Sequence, residues 1–83
     1  MKLLYFAWIR ARIGIPEEDL SLPAGIVRVD QLVDWLASRG PGYAAALAER
    51  GSVRVAVNQE HVGLDHPVRD SDEVALFPPV TGG

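Results

Sequence analysis

The sequence predicts an α+β fold: a mixed sheet of about five strands with one main helix and a short second helix packed on one face. Three observations carry the prediction. Strand-patterned runs lie at both ends of the chain. Between them, Val29, Leu32, Val33 and Leu36 fall at i, i+3, i+4 and i+7, the apolar stripe of an amphipathic helix. At 83 residues the chain has room for one core and no second domain.

Residues 1–10 read as the first strand. Leu3, Tyr5, Ala7 and Ile9 share one face, and Leu4, Phe6 and Trp8 the other. Both faces are apolar, so the strand is either buried on both sides or shows one side to a partner. Gly14 and Pro16 mark a turn, and residues 17–22 return as a more polar strand that makes a hairpin with the first. Pro23-Ala24-Gly25 then breaks the chain before the main helix. Asp30 and Asp34 suit the early turns of that helix and Arg39 its last, where each charge complements the helix dipole. Arg28 stands before it, where a small capping residue would be expected. Gly40-Pro41-Gly42 ends it. The alanine-rich residues 43–50 form the second helix, with Tyr43 and Leu47 on one side and Gly51 as its stop.

Val53, Val55 and Val57 alternate with Arg54, Ala56 and Asn58 in a further strand. Residues 58–60 turn, and 61–64 make a short strand. The runs 65–67 and 70–72 are turns, and 73–77 is the last strand. Pro78 and Pro79 lack an N–H and have a fixed φ, so they end that strand and direct the remaining residues away from the body. The division is a folded domain over 1–77 and a flexible tail over 78–83.

One helix leaves the far side of a twisted sheet uncovered. Phe6 and Trp8 share a face of the first strand, and Ala75 and Phe77 a face of the last. If the two strands are neighbours, these residues form an apolar patch at the root of the tail. The opposite assignment puts them in the core and turns Leu3, Tyr5, Val74 and Leu76 outward.

Composition narrows the function. The net charge is −3 and the eight basic residues are scattered, which argues against a nucleic-acid partner. No cysteine is present, so neither a disulfide nor a thiolate metal site is available. The longest apolar run, 3–9, is too short to cross a membrane. Arg10 and Arg12 close it with no small-residue cleavage site behind them, so a cytoplasmic location is expected. His61 and His66 are too few for a histidine metal cage. Asp65 beside His66 has no nucleophile to activate. Asp70, Asp72 and Glu73 lack the spacing of a calcium loop. No phosphate-cradling glycine loop occurs. No bound cofactor or metal is therefore expected.

What remains is the Gly82-Gly83 end. Two residues without side chains pass a narrow channel, and their backbones adopt almost any conformation. A carboxylate at Gly83 is a poor electrophile. To carry a group it needs activation, most simply as an acyl-adenylate made from ATP by another protein. A sulfur donor then displaces AMP and leaves a thiocarboxylate.

The run Val55-Ala-Val-Asn-Gln59, with Asp65-His66-Pro67, Asp70-x-Asp72-Glu73-Val74 and Phe77-Pro-Pro-Val-Thr-Gly-Gly83, resembles the family of small, sulfur-carrying subunits of molybdopterin synthase. Residues 3–10, Leu-Leu-Tyr-Phe-Ala-x-Ile-Arg, fit that family's first strand. The resemblance covers essentially the whole chain, and the tail motif is its specific part. It implies a β-grasp, ubiquitin-like fold. It implies an E1-like adenylyltransferase that adenylylates Gly83 with ATP, a sulfur donor protein, and a thiocarboxylate that enters the large synthase subunit. There, two carriers each give one sulfur to cyclic pyranopterin monophosphate, in a heterotetramer with two copies of each subunit. Gly83 would be the sulfur-carrying residue, Gly82 would give access, and Val80 and Thr81 would lie in the partner's channel. Phe6 and Phe77 match apolar partner-facing positions, with Trp8, Pro78 and Pro79 grouped beside them, and Arg10 matches a basic position near the activating enzyme. His61 departs from the pattern, standing where the family can place an apolar interface residue, which implies a more polar or pH-sensitive contact. Alternatives remain: a carrier for thiazole synthesis, a ubiquitin-like protein modifier, or a β-grasp binding module without tail chemistry. Lys2 is the sole lysine, which argues against polymeric conjugates.

Overall fold

A computed structural model describes residues 1–79. Val80, Thr81, Gly82 and Gly83 lie outside the described residues, and with them the tail-insertion and sulfur-carrying positions named above.

Five strands form one mixed sheet: β1 (Lys2–Tyr5), β2 (Glu17–Asp19), β3 (Arg54–Val57), β4 (Glu60–Val62) and β5 (Glu73–Phe77). Their spatial order is β2-β1-β5-β3-β4. The central β1 and β5 run parallel, with Leu3 beside Val74 and Tyr5 beside Leu76. The other neighbours are antiparallel: β1 with β2, β5 with β3, and β3 with β4. Three helices accompany the sheet, α1 (Ala7–Ile13), α2 (Val29–Ala37) and α3 (Pro41–Ala46), and a 3₁₀ turn (Arg50–Ser52) precedes β3. The parallel central pair, reached through a helical crossover, is the β-grasp arrangement.

The main helix falls where its stripe puts it. Val29, Leu32, Val33 and Leu36 are all fully buried. They pack in one core with Leu3 and Tyr5 of β1, Val55 and Val57 of β3, and Val74 and Leu76 of β5. Burying each such side chain contributes roughly 1.5–3 kcal/mol against leaving it in water. This also decides which sheet face is which: Leu3, Tyr5, Val74 and Leu76 point to the helices, so Ala75 and Phe77 point away from them.

Arg28 at the helix entry is tolerated because other groups do the capping. The first helical N–H groups, of Val29 and Asp30, donate to the His66 and Leu64 carbonyls at 2.9 and 2.8 Å. The Gln31 side-chain oxygen accepts from the Val27 and Arg28 backbone N–H at 2.8 and 3.1 Å, the reciprocal half of a capping box. An arginine side chain has no acceptor to complete the other half.

The first strand is shorter than expected. It stops at Tyr5, and residues 7–13 form α1. Phe6 is the extended N-cap, and Gly14 at φ 98° closes the helix by donating to the Arg10 carbonyl at 2.8 Å. Ile9 is buried, while Ala7, Arg10, Ala11 and Arg12 face solvent. The all-apolar run hid this switch from a reading by alternation. The left-handed glycine at 14 and the basic last turn were the helix signals within it. The connection to β2 therefore contains a helix and is not a tight hairpin, although β1 and β2 do pair antiparallel. The second helix also begins earlier than expected, with Pro41 in its first turn, a position suited to its missing N–H. Asn58 and Gln59 both take positive φ, 51° and 70°, in the tight turn between β3 and β4.

Candidate functional site

The uncovered side of the sheet is built from alternate residues of the central strands. On β5 these are Glu73, Ala75 and Phe77; opposite them on β3 stand Ala56, beside Ala75, and Arg54, beside Phe77. His61 on β4 pairs with Ala56 and so shares this face. The His61 and Phe77 rings meet with centroids 5.1 Å apart and planes tilted by 49°. On the other flank Leu4 lies beside Ala75. Phe6 continues the register, its N–H donating to the Leu76 carbonyl at 3.2 Å, and its side chain is 47% exposed.

Phe6 owes its outward placement to the strand–helix junction. Its backbone stays extended while Ala7 takes φ 52°, a left-handed conformation that costs an L-residue roughly 1–2 kcal/mol. The small Ala7 side chain suits that bend. Phe6, Ala75, Phe77 and His61 thus form an apolar and aromatic surface at the end of β5 from which the tail departs. Pro78 and Pro79 follow, both half-buried.

Charge is distributed unevenly over this face. The end far from the tail carries Lys2 paired with Glu17 at 3.3 Å, together with Asp19 and Glu73. The tail end carries Arg54, whose guanidinium donates to the Gly51 carbonyl at 3.0 Å. Arg54 is a site residue that the sequence reading did not single out; its alternation with the buried Val53 and Val55 was the available signal.

Two residues expected in the first strand are elsewhere. Trp8 does not share a strand face with Phe6. It lies on α1, half-buried, with the Arg12 guanidinium 4.7 Å over its ring, beside Ala45, Ala46 and Glu49. Arg10 is exposed on the same helix and borders a shallow hollow with Ala11, Gly14 and Pro16. The cause in both cases is the early end of β1: past Phe6 the period changes from two to 3.6.

On the covered side, a polar cluster ties β2 and α3 to β1. Glu18 Oε2 accepts from the Tyr5 and Tyr43 hydroxyls at 2.7 and 2.6 Å, and its Oε1 accepts from Arg39 Nη1 at 2.9 Å. Burial works against the Glu18 charge, but the donors Tyr43, Tyr5 and Arg39 outweigh it and hold the carboxyl below its usual pKa. Burial, with Glu18 as acceptor, pushes the Tyr5 phenol up. This cluster is satisfied and structural. Asp70 and Asp72 act as turn acceptors: Asp70 takes the Leu22 N–H at 2.7 Å and Asp72 the Arg69 N–H at 2.8 Å. Among the described residues no three His, Cys, Asp or Glu side chains gather as a metal site, and no helix is long and apolar enough to cross a membrane.

The ThiS family model matches residues 3–83 of the chain. The molybdopterin synthase sulfur carrier subunit of Escherichia coli (strain K12) is 42% identical over 83 residues, covering 100% of this chain and 99% of that protein. The subunit of the same name from Haemophilus influenzae is 37% identical, with the same coverage. Among solved structures, molybdopterin converting factor, subunit 1 from Pyrococcus furiosus superposes with a TM-score of 0.78 at 33% identity, covering 95% of each chain. Haloferax volcanii small archaeal modifier protein 1 superposes at 0.73 with 27% identity, covering 96% of this chain and 97% of that one. A chain from the complex of subunits 1 and 2 of molybdopterin-converting factor from Helicobacter pylori has the same fold, with a TM-score of 0.64 at 22% identity over 99% of this chain and 96% of that one.

Proposed function

The chain belongs to the ThiS family, and from that premise we propose that it is the sulfur carrier of a molybdopterin synthase. The full-length 42% identity to a sulfur carrier subunit of that name is the observation that carries the reading. The tail sequence Phe77-Pro-Pro-Val-Thr-Gly-Gly83 supports it.

In this reading the chemistry is confined to Gly83. An E1-like adenylyltransferase joins the Gly83 carboxylate to the α-phosphate of ATP, releasing pyrophosphate. Sulfur from a donor protein displaces AMP and leaves a thiocarboxylate. The tail, residues 78–83, enters the large synthase subunit. The sulfur attacks cyclic pyranopterin monophosphate, and hydrolysis of the acyl–sulfur bond returns Gly83 as a carboxylate. Two carriers, one at each end of a dimer of large subunits, supply the two sulfurs of the dithiolene. ATP is consumed by the activating enzyme, and the chain itself holds no cofactor. The setting is the cytoplasm.

The open sheet face is what docks on the large subunit. Phe6 and Phe77 are its anchors, His61 lies at its margin, and Pro78 and Pro79 aim the tail. An aromatic surface continuous with the tail root suits a partner that must grip the body while threading the end. Arg10, on α1 and off this face, is left free for the activating enzyme. The likeness to a small archaeal modifier protein favours one second reading, conjugation of Gly83 to lysines of other proteins.

Deleting Gly83 tests the tail directly. The truncated chain should fold with unchanged stability, because the described core contains nothing of the tail, and should lose sulfur transfer completely. Retained synthase activity in that variant would defeat the proposal.

A further inference from the structure

At the aromatic end of the open face stands a histidine, His61. The imidazole lies against Phe77 and over the small residue Ala56. The charged groups around it are few. From β3, Arg54 shares the face, in register with Phe77. From β5, Glu73 is at the far end, two residues beyond Ala75, by the Lys2–Glu17 pair. On β4 itself, Glu60 pairs with Val57 and so alternates to the opposite side. Among the described residues no carboxylate forms an ion pair with His61.

A partner that covers this face therefore removes water from an imidazole that shares the face with a cation, Arg54. Desolvation and a like charge both disfavour the protonated ring. The attraction of an imidazolium for the Phe77 ring, a contact present in the free chain, strengthens when water leaves and offsets this only in part. Resting on the docking role given above, we propose that His61 makes docking on the large subunit pH-dependent: the carrier binds with a neutral His61 and is released as that ring takes up a proton. Histidine is the side chain that ordinarily changes charge between pH 5 and 8. One proton expelled per docked carrier limits the effect to about tenfold in Kd per pH unit.

The test compares the wild-type chain with His61→Gln and His61→Leu in binding to the large synthase subunit between pH 8 and pH 5.5. Because His61 is exposed and outside the core, thermal melts of all three should agree. The proposal expects wild-type Kd to rise about tenfold more than that of either variant on acidification. It also expects wild-type docking at pH 6.5 to release protons, read from the dependence of binding heat on buffer ionisation, and the variants to release fewer. Parallel pH profiles for all three proteins would overturn it, as would a wild-type complex that tightens on acidification, which would mean that the partner offers the imidazolium a carboxylate. Phe77→Ala at pH 8 separates the layers. If that change leaves Kd unaltered, the docking face itself is wrong and the role of His61 falls with it. If it weakens binding while the His61 profiles stay parallel, the face stands and only the pH device is refuted.

Discussion

Phe77 and Leu76 are neighbours in β5 with opposite fates: Leu76 is fully buried under α2, and the Phe77 ring lies on the open face against His61. A strand's period of two allows no intermediate placement. Replacing Phe77 by alanine should therefore leave the core intact and weaken the complex with the large subunit by about 2 kcal/mol or more, the scale of an aromatic interface anchor. Equilibrium binding and a thermal melt on the same sample decide it; global unfolding would mean that the ring supports the core instead. Glu18 makes a different kind of prediction. Its folded carboxyl titrates below the ordinary value because Tyr43, Tyr5 and Arg39 donate to it. The stability it contributes is thus fully present above its unfolded pKa and lost as pH falls through the lower folded one. Glu18→Gln should flatten the acid limb of the stability–pH curve, measured by urea melts from pH 7 to pH 2.5. An acid limb identical to that of the wild type would refute this. Glu18 was invisible in the sequence because its donors come from positions 5, 39 and 43, which only the folded sheet and α3 bring together.

Among the elements, α2 was the most legible. Its four apolar residues need no tertiary information to define one face, and all four are buried. The last strand was equally plain, because its alternation is bounded by turn residues on one side and two prolines on the other. The helix α1 was missed for a physical reason. A run in which nearly every residue is apolar carries neither a period of two nor one of 3.6. What ends β1 is the left-handed bend at Ala7, which no propensity marks. Tertiary packing then holds α1 against α3, and Gly42 allows the approach. A Cβ built there would lie 2.5 Å from the Arg12 carbonyl oxygen, a backbone atom that has no rotamer by which to move aside. Gly42→Ala should then destabilise the domain by about 1–3 kcal/mol, as overpacking does. An unchanged melting temperature would show that α1 and α3 shift apart without cost.

For the molecule as a whole, the sheet, its covered face and the patch at the tail root followed from pattern, while the site's margins did not. Phe6 and Phe77 were placed together correctly because they depend only on two strands being neighbours. Trp8 and Arg10 were expected in the first strand and lie on α1, because their element depends on where that strand stops. The functional assignment depends least on any of this, since it rests on the Gly-Gly end and on full-length kinship with sulfur carrier subunits. On the proposed reading the β-grasp body is a platform that presents an aromatic face, and the reaction belongs to Gly83 and to the protein that receives it. The most direct measurement is molybdopterin formation from the chain charged as a thiocarboxylate at Gly83, mixed with the large synthase subunit and cyclic pyranopterin monophosphate, with uncharged chain as control. The account predicts product from the charged chain alone. No product from a verified thiocarboxylate and an active large subunit would contradict it and transfer the assignment to thiazole synthesis or protein conjugation.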